Sequence, residues 1–343
     1  MLKPMKPTSL RKKLLFNGTF LAVVAGTLVP LVNASADPVG ELRSLSALKD
    51  VDLSKLSRGD VSATGAPLGQ LERGVSVQIA YVVRAPVRST ASLIQQWNPT
   101  RYPQLRIYLQ GDLPSSASPQ NFHGLASAPS NSSVRAFVQA TERLPGDSSK
   151  LQLSSAEVKQ YSGGTPVGGS VPGPVLAFWS QVLAQRVRDF VSGGLGAEPP
   201  YQNGVSPASE IARLIDNSGN VRSHFSPMIS GGRGSPSLSW QLFDADGQAA
   251  VSLDAFYSKP VNDGYQTLDL GFYSSGGYYV VVTLQQLWPV KVDGRDATLV
   301  WRVDLVSSGA LRNLRGVERL GSGAAMMRKI QDNVRTFVRS APR

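Results

Sequence analysis

Three aspartates lie inside segments that the sequence predicts to be β-strands: Asp254, Asp269 and Asp304. Carboxylates are uncommon in strand interiors, so their positions are informative. If two of them converge in a cleft, or one meets His224, they could serve as general acid and base of a hydrolase. The alternative is an outward-facing sheet whose charges are solvated or paired across strands, as Asp269 with Arg302 would be.

Other residue types that support catalysis are scarce. The chain has two histidines and no cysteine. We expect His123 to lie in an exposed polar loop and His224 to have a structural role. The histidines are not spaced i, i+4 as zinc ligands on a helix would be, and the sequence lacks a G-x-S-x-G elbow, a P-loop and a G-x-G-x-x-G after a strand. The sequence therefore assigns no catalytic residue, metal site or cofactor, and leaves open whether the chain is an enzyme.

Five successive strands are predicted, at residues 238–243, 249–258, 265–273, 278–288 and 298–306. The turn formers Asp246-Gly247 and Asp293-Gly294 separate two pairs of them, and such short connections favour antiparallel neighbours. In two strands apolar residues alternate with polar ones: Val251, Leu253, Ala255 and Tyr257; Leu299, Trp301, Val303 and Leu305. This pattern is typical of an antiparallel sheet covered on one side. Residues 278–284 are apolar on both faces, which places their strand centrally.

A long helix is predicted to end the chain, with Ser322 as its N-cap. Its apolar stripe consists of Met326, Ile330, Val334 and Phe337. Its basic residues, which could bind an anionic envelope surface, are Arg328, Lys329, Arg335 and Arg339. An amphipathic helix buries its apolar stripe, so we expect this one to cover the sheet, either as solid core or as the lid of a cavity.

Large aromatic side chains are concentrated in the predicted strands. If they line a cavity between sheet and helix instead of filling a core, they would bind an apolar or lipid-like small molecule. The residues that we assign to this ligand site are Tyr257, Tyr265, Phe272, Tyr278, Trp288, Trp301, Arg302 and Phe337.

The first 36 residues resemble a secretory signal peptide. A basic start is followed by a mostly apolar stretch, residues 14–32, and by the small residues Ala34-Ser35-Ala36. Cleavage after Ala36 would leave residues 37–343, with no further segment long and apolar enough to span a membrane. We therefore expect export to a bacterial periplasm or exterior, which an exported chain without disulfides fits better than it fits a eukaryotic secreted domain.

The charge balance argues against nucleic acid as a partner. Residues 1–36 hold five basic and no acidic side chains, so the remainder has 30 basic and 24 acidic residues, a net charge of +6 instead of +11. This modest excess is not gathered into a Lys/Arg stripe with interleaved aromatics.

The segment before the five strands is predicted to contain both helices and strands. Strands are expected at 75–83 and 105–109, with an edge strand near 61–63, and helices at 87–97, 175–191 and 207–215. Residues 115–133 resemble an exposed loop, 151–161 have helical spacing, and 134–142 fit a strand or a helix. Five glycines and three prolines make 162–174 a linker. The residues before it are too few in apolar side chains for a separate core, so 37–343 is expected to be one domain.

One stretch resembles the START-like, or helix-grip, superfamily. It runs from the strand end Val82-Val83-Arg84-Ala85-Pro86 through a helix ending at Trp97 to Tyr102-Pro103 and another strand. The strand series and final helix, 238–340, are similar to the rest of that fold, whereas 115–236 is a large helical insertion. The resemblance implies an α+β fold in which an antiparallel sheet packs against a long C-terminal helix. It also implies that a lipid or other apolar ligand binds between them.

A second resemblance is to uncharacterised exported bacterial proteins. It rests on Gly276-Gly277-Tyr278-Tyr279, on Arg302-Val303-Asp304 and on Gly309, before the last helix. This resemblance implies no activity.

Overall fold

An antiparallel sheet of eight strands runs through the computed structural model, which describes residues 37–341 except 70, 145, 165–168, 231–233, 263 and 313–315. The order across the sheet is β1-β2-β8-β7-β6-β5-β4-β3, and every neighbouring pair is antiparallel. The strands are β1 (Ser62–Pro67), β2 (Gly74–Val83), β3 (Ile107–Leu113), β4 (Ser237–Ala245), β5 (Gln248–Val261), β6 (Gly264–Ser274), β7 (Val280–Val292) and β8 (Arg295–Ser307).

The helices of the described chain lie before, between and after these strands. They are α1 (Pro38–Leu45), α2 (Leu53–Leu56), α3 (Val87–Gln95), α4 (Ser132–Glu142), α5 (Ser155–Val158), α6 (Gly173–Gly193), α7 (Pro207–Asp216), α8 (Asn220–His224), α9 (Ser226–Ser230) and α10 (Gly316–Ser340). Short 3-10 helices occupy Pro99–Arg101, Pro103–Leu105, Pro119–Ser127, Gly194–Ala197 and Gly309–Leu311. The prediction of an α+β fold with an antiparallel sheet and a C-terminal helix is confirmed.

The predicted strands agree closely with the observed ones. The five strands expected after residue 238 are β4 to β8, and the turns between them are tight because Asp246-Gly247 and Asp293-Gly294 all have positive φ angles, from 51° to 94°. Both central residues of a type I′ hairpin need this conformation, which glycine and aspartate tolerate well. The strand placed centrally by its apolar character, β7, lies between β6 and β8.

The sheet is covered on both faces, which differs from the one-sided cover that alternation suggested. The apolar faces of β5 and β8 do share one core, but that core faces the insertion. There Trp301 and Leu253 belong to the same buried cluster as Trp179 of α6 and Phe137 of α4. The amphipathic helices of the insertion therefore cover the face that we assigned to the last helix.

Helix α10 covers the opposite face of the sheet. Val334 and Phe337 of α10 are buried with Ile79, Tyr81 and Val300. Helix α3 joins the same cluster through Ala91. Odd-numbered residues of β2 and even-numbered residues of β8 supply this second core, so each strand is apolar on both sides where α10 crosses it.

Three local predictions need correction. Residues 115–133 are not simply an exposed loop, because Pro119–Ser127 is a 3-10 helix whose Phe122 and Leu125 are fully buried, although His123 is exposed. Helix α10 begins at Gly316, ahead of the proposed cap Ser322. Only Ser155–Val158 of the segment 151–161 is helical. In the first case the burial of Phe122 and Leu125 overrides the polar composition that favoured a loop.

A buried ionic cluster holds the insertion to the sheet. Arg186 of α6, fully buried, donates to both carboxylate oxygens of Glu157 at 2.7 and 2.8 Å and to Glu198 at 3.0 Å. Its guanidinium lies 4.0 Å from the ring centroid of Tyr273 on β6 and 5.6 Å from that of Tyr201. One arginine thus links α5, α6, the segment after α6 and the sheet.

The elements from Asp37 onward form one compact unit, and residues 1–36, with the expected signal peptide, lie outside the described residues. Part of the predicted linker, 165–168, also lies outside them. None of the described helices has the length and apolar character required to cross a membrane.

The docking of α10 can be tested with two substitutions on the same helix. Phe337 is buried and meets the rings of Tyr81 and Trp97 edge-on. Phe337→Ala should lower the free energy of unfolding by about 3–5 kcal/mol, because a large buried ring is lost. Arg335→Ala, at a half-exposed side chain, should cost under about 0.5 kcal/mol in the same chemical denaturation experiment. Equal small losses would contradict the docking.

Replacing Arg186 should lower the stability of the fold far more than replacing Arg188, two residues further along α6. Arg186→Met leaves two carboxylates buried without their cation, which should cost about 3–5 kcal/mol. Arg188→Met is the matched control, because Arg188 is exposed and donates to the carbonyl of Ala117 at 3.1 Å. Thermal and chemical denaturation of the two variants compare these effects, and similar stabilities would contradict the anchoring role of Arg186.

Candidate functional site

The three strand aspartates converge on one cavity. Asp254 on β5, Asp269 on β6 and Asp304 on β8 all project from the sheet face that α10 covers. They line a cavity of about 400 Å³ between that face and the helix. Cross-strand register brings them together, because Asp269 is paired with Thr283 of β7 and Thr283 with Asp304.

The cavity has an apolar wall and a polar floor. The wall is formed by Trp97, Pro99, Leu105, Ile107, Phe243, Val281, Val306, Met326 and Ile330. The floor is formed by Gln241, Ser252, Asp254, Asp269, Tyr278, Thr283, Arg302 and Asp304, and Asn333 of α10 adds a polar side chain on the helix side. Volume and lining of this kind are usual for sites that bind small molecules.

One end of the floor is a closed ion pair. Arg302 donates to both carboxylate oxygens of Asp304, at 2.7 and 2.8 Å, and Thr283 donates to the same carboxylate at 2.7 Å. The arginine thus pairs with the aspartate two residues along its own strand, not with Asp269 across the sheet as the sequence suggested. This bidentate pair supplies hydrogen-bond donors to both oxygens of Asp304 and neutralises the charge of Arg302.

Asp254 and Asp269 form the other end of the floor and lack such a cation. Asp254 accepts a hydrogen bond from Ser252 at 2.8 Å, and Gly271 opposite it leaves space for its carboxylate. Burial, with the charge of Asp269 beside it, raises the pKa of Asp254 well above the ordinary value. Burial also raises the pKa of Asp269 to about 6, although Arg302 opposes the shift.

Three solvent-shielded polar atoms at this cavity have no hydrogen-bond partner among the described residues. They are Asp269 Oδ1, Trp97 Nε1 and Gln110 Oε1. Gln110 belongs to a smaller pocket of about 120 Å³ that shares Asp269, Trp97 and other lining residues with the cavity. Four further buried side-chain atoms of the described residues also lack a partner, in Ser180, Glu198, Gln266 and Thr267, but these three share one cavity and its adjoining pocket. Buried polar groups are nearly always paired, so their grouping favours partners that come from outside the protein.

The rim of the cavity carries paired charges. Lys329 of α10 lies 2.7 Å from Asp246, and Asp244 is 2.8 Å from Arg106 and also accepts from Tyr108. The rim is therefore close to neutral, and the carboxyl groups of the site that lack an ion-pair partner among the described residues are those of Asp254 and Asp269.

The eight residues predicted to bind a ligand divide between the two faces of the sheet. Tyr278 and Arg302 line the cavity, and Phe337 lines the smaller pocket. Tyr265 is on the same face but packs in the core under α3, where Arg88 donates to its hydroxyl at 3.3 Å. The remaining four pack in the core on the insertion side: Tyr257, Phe272, Trp288 and Trp301.

These four aromatics have structural contacts instead of a cavity. Phe272 stacks on Phe190 with ring centroids 4.0 Å apart, and Trp288 donates to Glu41 at 3.0 Å. His224 packs against Trp288 and Trp301 and shares a 2.9 Å hydrogen bond with Gln286, on the face opposite the aspartates. Its predicted structural role agrees with this position, and it forms no pair with the strand carboxylates.

Sequence reasoning missed Gln110, Gln241 and Asn333 as site residues. Asn333 had a detectable signal, because it continues the stripe of Ile330 and Phe337 at helical spacing, and a polar residue in an apolar stripe often faces a cavity. Gln110 and Gln241 had no such signal, since glutamines on β3 and β4 resemble ordinary solvent-facing strand residues.

Among the described histidines, aspartates and glutamates, no group of three or more is arranged to hold a metal ion.

The ionisation of Asp269 should make the protein less stable as the pH rises. The pKa of Asp269 in the folded chain, about 6, lies above its ordinary value of 3.8, so the folded state binds the proton more tightly than the unfolded state. The free energy of unfolding should therefore fall between about pH 4 and about pH 6. Asp269→Asn removes this titration and should raise the unfolding free energy near neutral pH by up to about 3 kcal/mol.

Chemical denaturation at about pH 4 and near neutral pH tests this expectation. Asp293→Asn is the control, because Asp293 is 73% exposed and should change stability little at either pH. A loss of stability in Asp269→Asn near neutral pH would show that the carboxylate stabilises the fold and would contradict the assignment.

No protein-family model matches this chain, and the comparison with curated proteins found no match. Any function assigned to it therefore depends on the geometry of the cavity.

Proposed function

We propose that the chain binds an amphipathic small molecule in the cavity between the sheet and α10. The observation that carries the proposal is the cavity of about 400 Å³ with apolar walls and, at its floor and in the adjoining pocket, unpaired polar atoms. The apolar part of the ligand would contact Trp97, Ile330 and Met326, and its polar end would reach Asp254 and Asp269.

The free-energy cost of the unpaired polar atoms favours a ligand-binding role for the cavity over a purely structural one. An unpaired buried polar group destabilises the folded state by about 1–3 kcal/mol relative to a paired one. Three such atoms around one cavity and its adjoining pocket together carry a cost that a bound partner would relieve. A cost of this kind is typical of sites whose partners arrive on binding.

The arrangement is consistent with the START-like resemblance, in which the ligand lies between an antiparallel sheet and a C-terminal helix. The chain differs in one respect, because the insertion 115–236 contributes helices that cover the second face of the sheet. We retain the helix-grip architecture as part of the proposal and place the protein in a bacterial periplasm or exterior. The sequence of residues 1–36 supports that location.

Carboxylate-dependent hydrolysis is the second candidate function. The observation that favours it is the placement of Asp254 and Asp269 side by side with raised pKa values, since a protonated and an ionised carboxyl can act as acid and base. A panel of chromogenic esters and glycosides tests it. Turnover that is lost in both Asp254→Asn and Asp269→Asn would support hydrolysis, and turnover that survives in either would exclude it.

The third idea, binding of an anionic surface by the basic face of α10, has less support. Lys329 and Arg335 are paired with Asp246 and Asp332, which reduces the free positive charge of that face.

Filling the cavity should abolish binding without unfolding the protein. Native mass spectrometry of the protein purified from its own source should detect a small molecule bound to the wild type. Ile330→Trp places a large ring into the cavity and should eliminate that adduct. Arg328→Trp, an exposed site on the same helix, is the matched control and should retain it. An adduct kept by Ile330→Trp would place the ligand elsewhere.

A further inference from the structure

Around the cavity, two acidic side chains lack a basic partner among the described residues. Arg302 is held by Asp304 at 2.7 Å, and Lys329 by Asp246 at 2.7 Å. Asp254 and Asp269 have no ion-pair partner among the described residues and lie together at the floor. An ionised carboxylate of this pair presents a negative potential to whatever enters from the apolar side, and a cation bound beside the pair would favour the ionised form.

The unpaired atoms are mostly hydrogen-bond acceptors. Asp269 Oδ1 and Gln110 Oε1 both need donors, and the carboxylate of Asp254 receives only the hydroxyl of Ser252 in the described chain. Hydroxyl ligands supply one donor each, whereas an ammonium group supplies three and carries a compensating charge. The chemistry of the floor thus favours a ligand end that is rich in N–H donors and positively charged.

Aromatic rings beside the floor are suited to the same group. Tyr278 lines the cavity with its ring stacked on Phe243 at 5.5 Å, and Trp97 lines it with its ring stacked on Tyr102 at 4.9 Å, so each ring has one face that this stacking leaves uncovered. The faces of such rings attract cations. An anionic ligand end would meet two carboxylates, with both cations of the described lining already paired.

We infer that the ligand of this cavity is an amphipathic amine, whose ammonium group lies between Asp254 and Asp269 while its apolar part contacts Trp97, Met326 and Ile330. This inference rests on the proposed function and adds the chemical class of the ligand. A primary alkylamine is the simplest molecule that meets all of these requirements.

The experiment compares three probes that share one alkyl chain: octylamine, octanol and octanoate. Isothermal titration calorimetry near neutral pH measures each dissociation constant for the intact protein. Octylamine should bind about tenfold to a hundredfold more tightly than octanol, as expected for charge-assisted hydrogen bonds in a shielded site, and octanoate should bind most weakly.

Three variants test whether the preference for octylamine depends on the aspartates of the cavity. Asp254→Asn and Asp269→Asn should each weaken octylamine binding about tenfold or more while leaving octanol binding nearly unchanged. Asp293→Asn, which removes an exposed carboxylate outside the cavity, should bind octylamine as the wild type does. Circular dichroism of each variant verifies that it is folded.

The outcomes separate the two claims. If octanol or octanoate binds as tightly as octylamine, or if both aspartate variants keep the preference for the amine, the inference is overturned while the cavity remains a binding site. If none of the three probes binds to the wild type, the proposed function fails with it. Loss of amine binding in Asp293→Asn alone would place the amine at the surface and would also overturn the inference.

Discussion

Successive side chains of a β-strand point to opposite faces, so a sheet covered on both sides must supply two buried surfaces from one alternating sequence. In this protein the insertion covers one face and α10 the other. The face toward the insertion is mostly apolar, with buried glutamines at Gln266 and Gln286, whereas the face toward α10 changes along the sheet. It is apolar around Ile79 and Val300 and polar around Asp254, Asp269 and Asp304. The helix packs against the first region, and the cavity lies over the second.

This division explains why a cavity with charged groups can exist in the interior. Arg186 and its two glutamates hold the insertion on the far side of the sheet, so that face does not depend on α10. Phe337 and Val334 anchor the helix on the near side. With the sheet held from both sides, Asp254 and Asp269 can remain partly desolvated without a cation, a condition that burial normally disfavours.

Sequence reasoning predicted most of the strands and helices, because period-two alternation and short turn signals are local properties. Of the residues that it assigned to a ligand site, Tyr278 and Arg302 line the cavity and Phe337 lines the adjoining pocket, whereas Trp288 and Trp301 pack on the opposite face. Alternation separates the two faces of a strand but does not indicate which element covers each. The apolar face was assigned to α10, although the amphipathic helices of the insertion, such as α6 with Trp179, could equally cover it. Polar residues opposite were then interpreted as solvated, when they form the floor of a cavity.

The position of β2 has a consequence for how the chain folds. Ala80 of β2 pairs with Trp301 of β8, 221 positions further along the chain. Until β8 has been synthesised, β2 can pair only with β1, and apolar residues such as Ile79 and Val82 remain uncovered. Contacts of such long sequence separation are slow to form and leave an open strand edge during folding. The nascent chain thus carries an exposed hydrophobic strand for most of its synthesis. During that time β2 must be protected from pairing with other chains, although its free edge is covered by β8 in the folded protein.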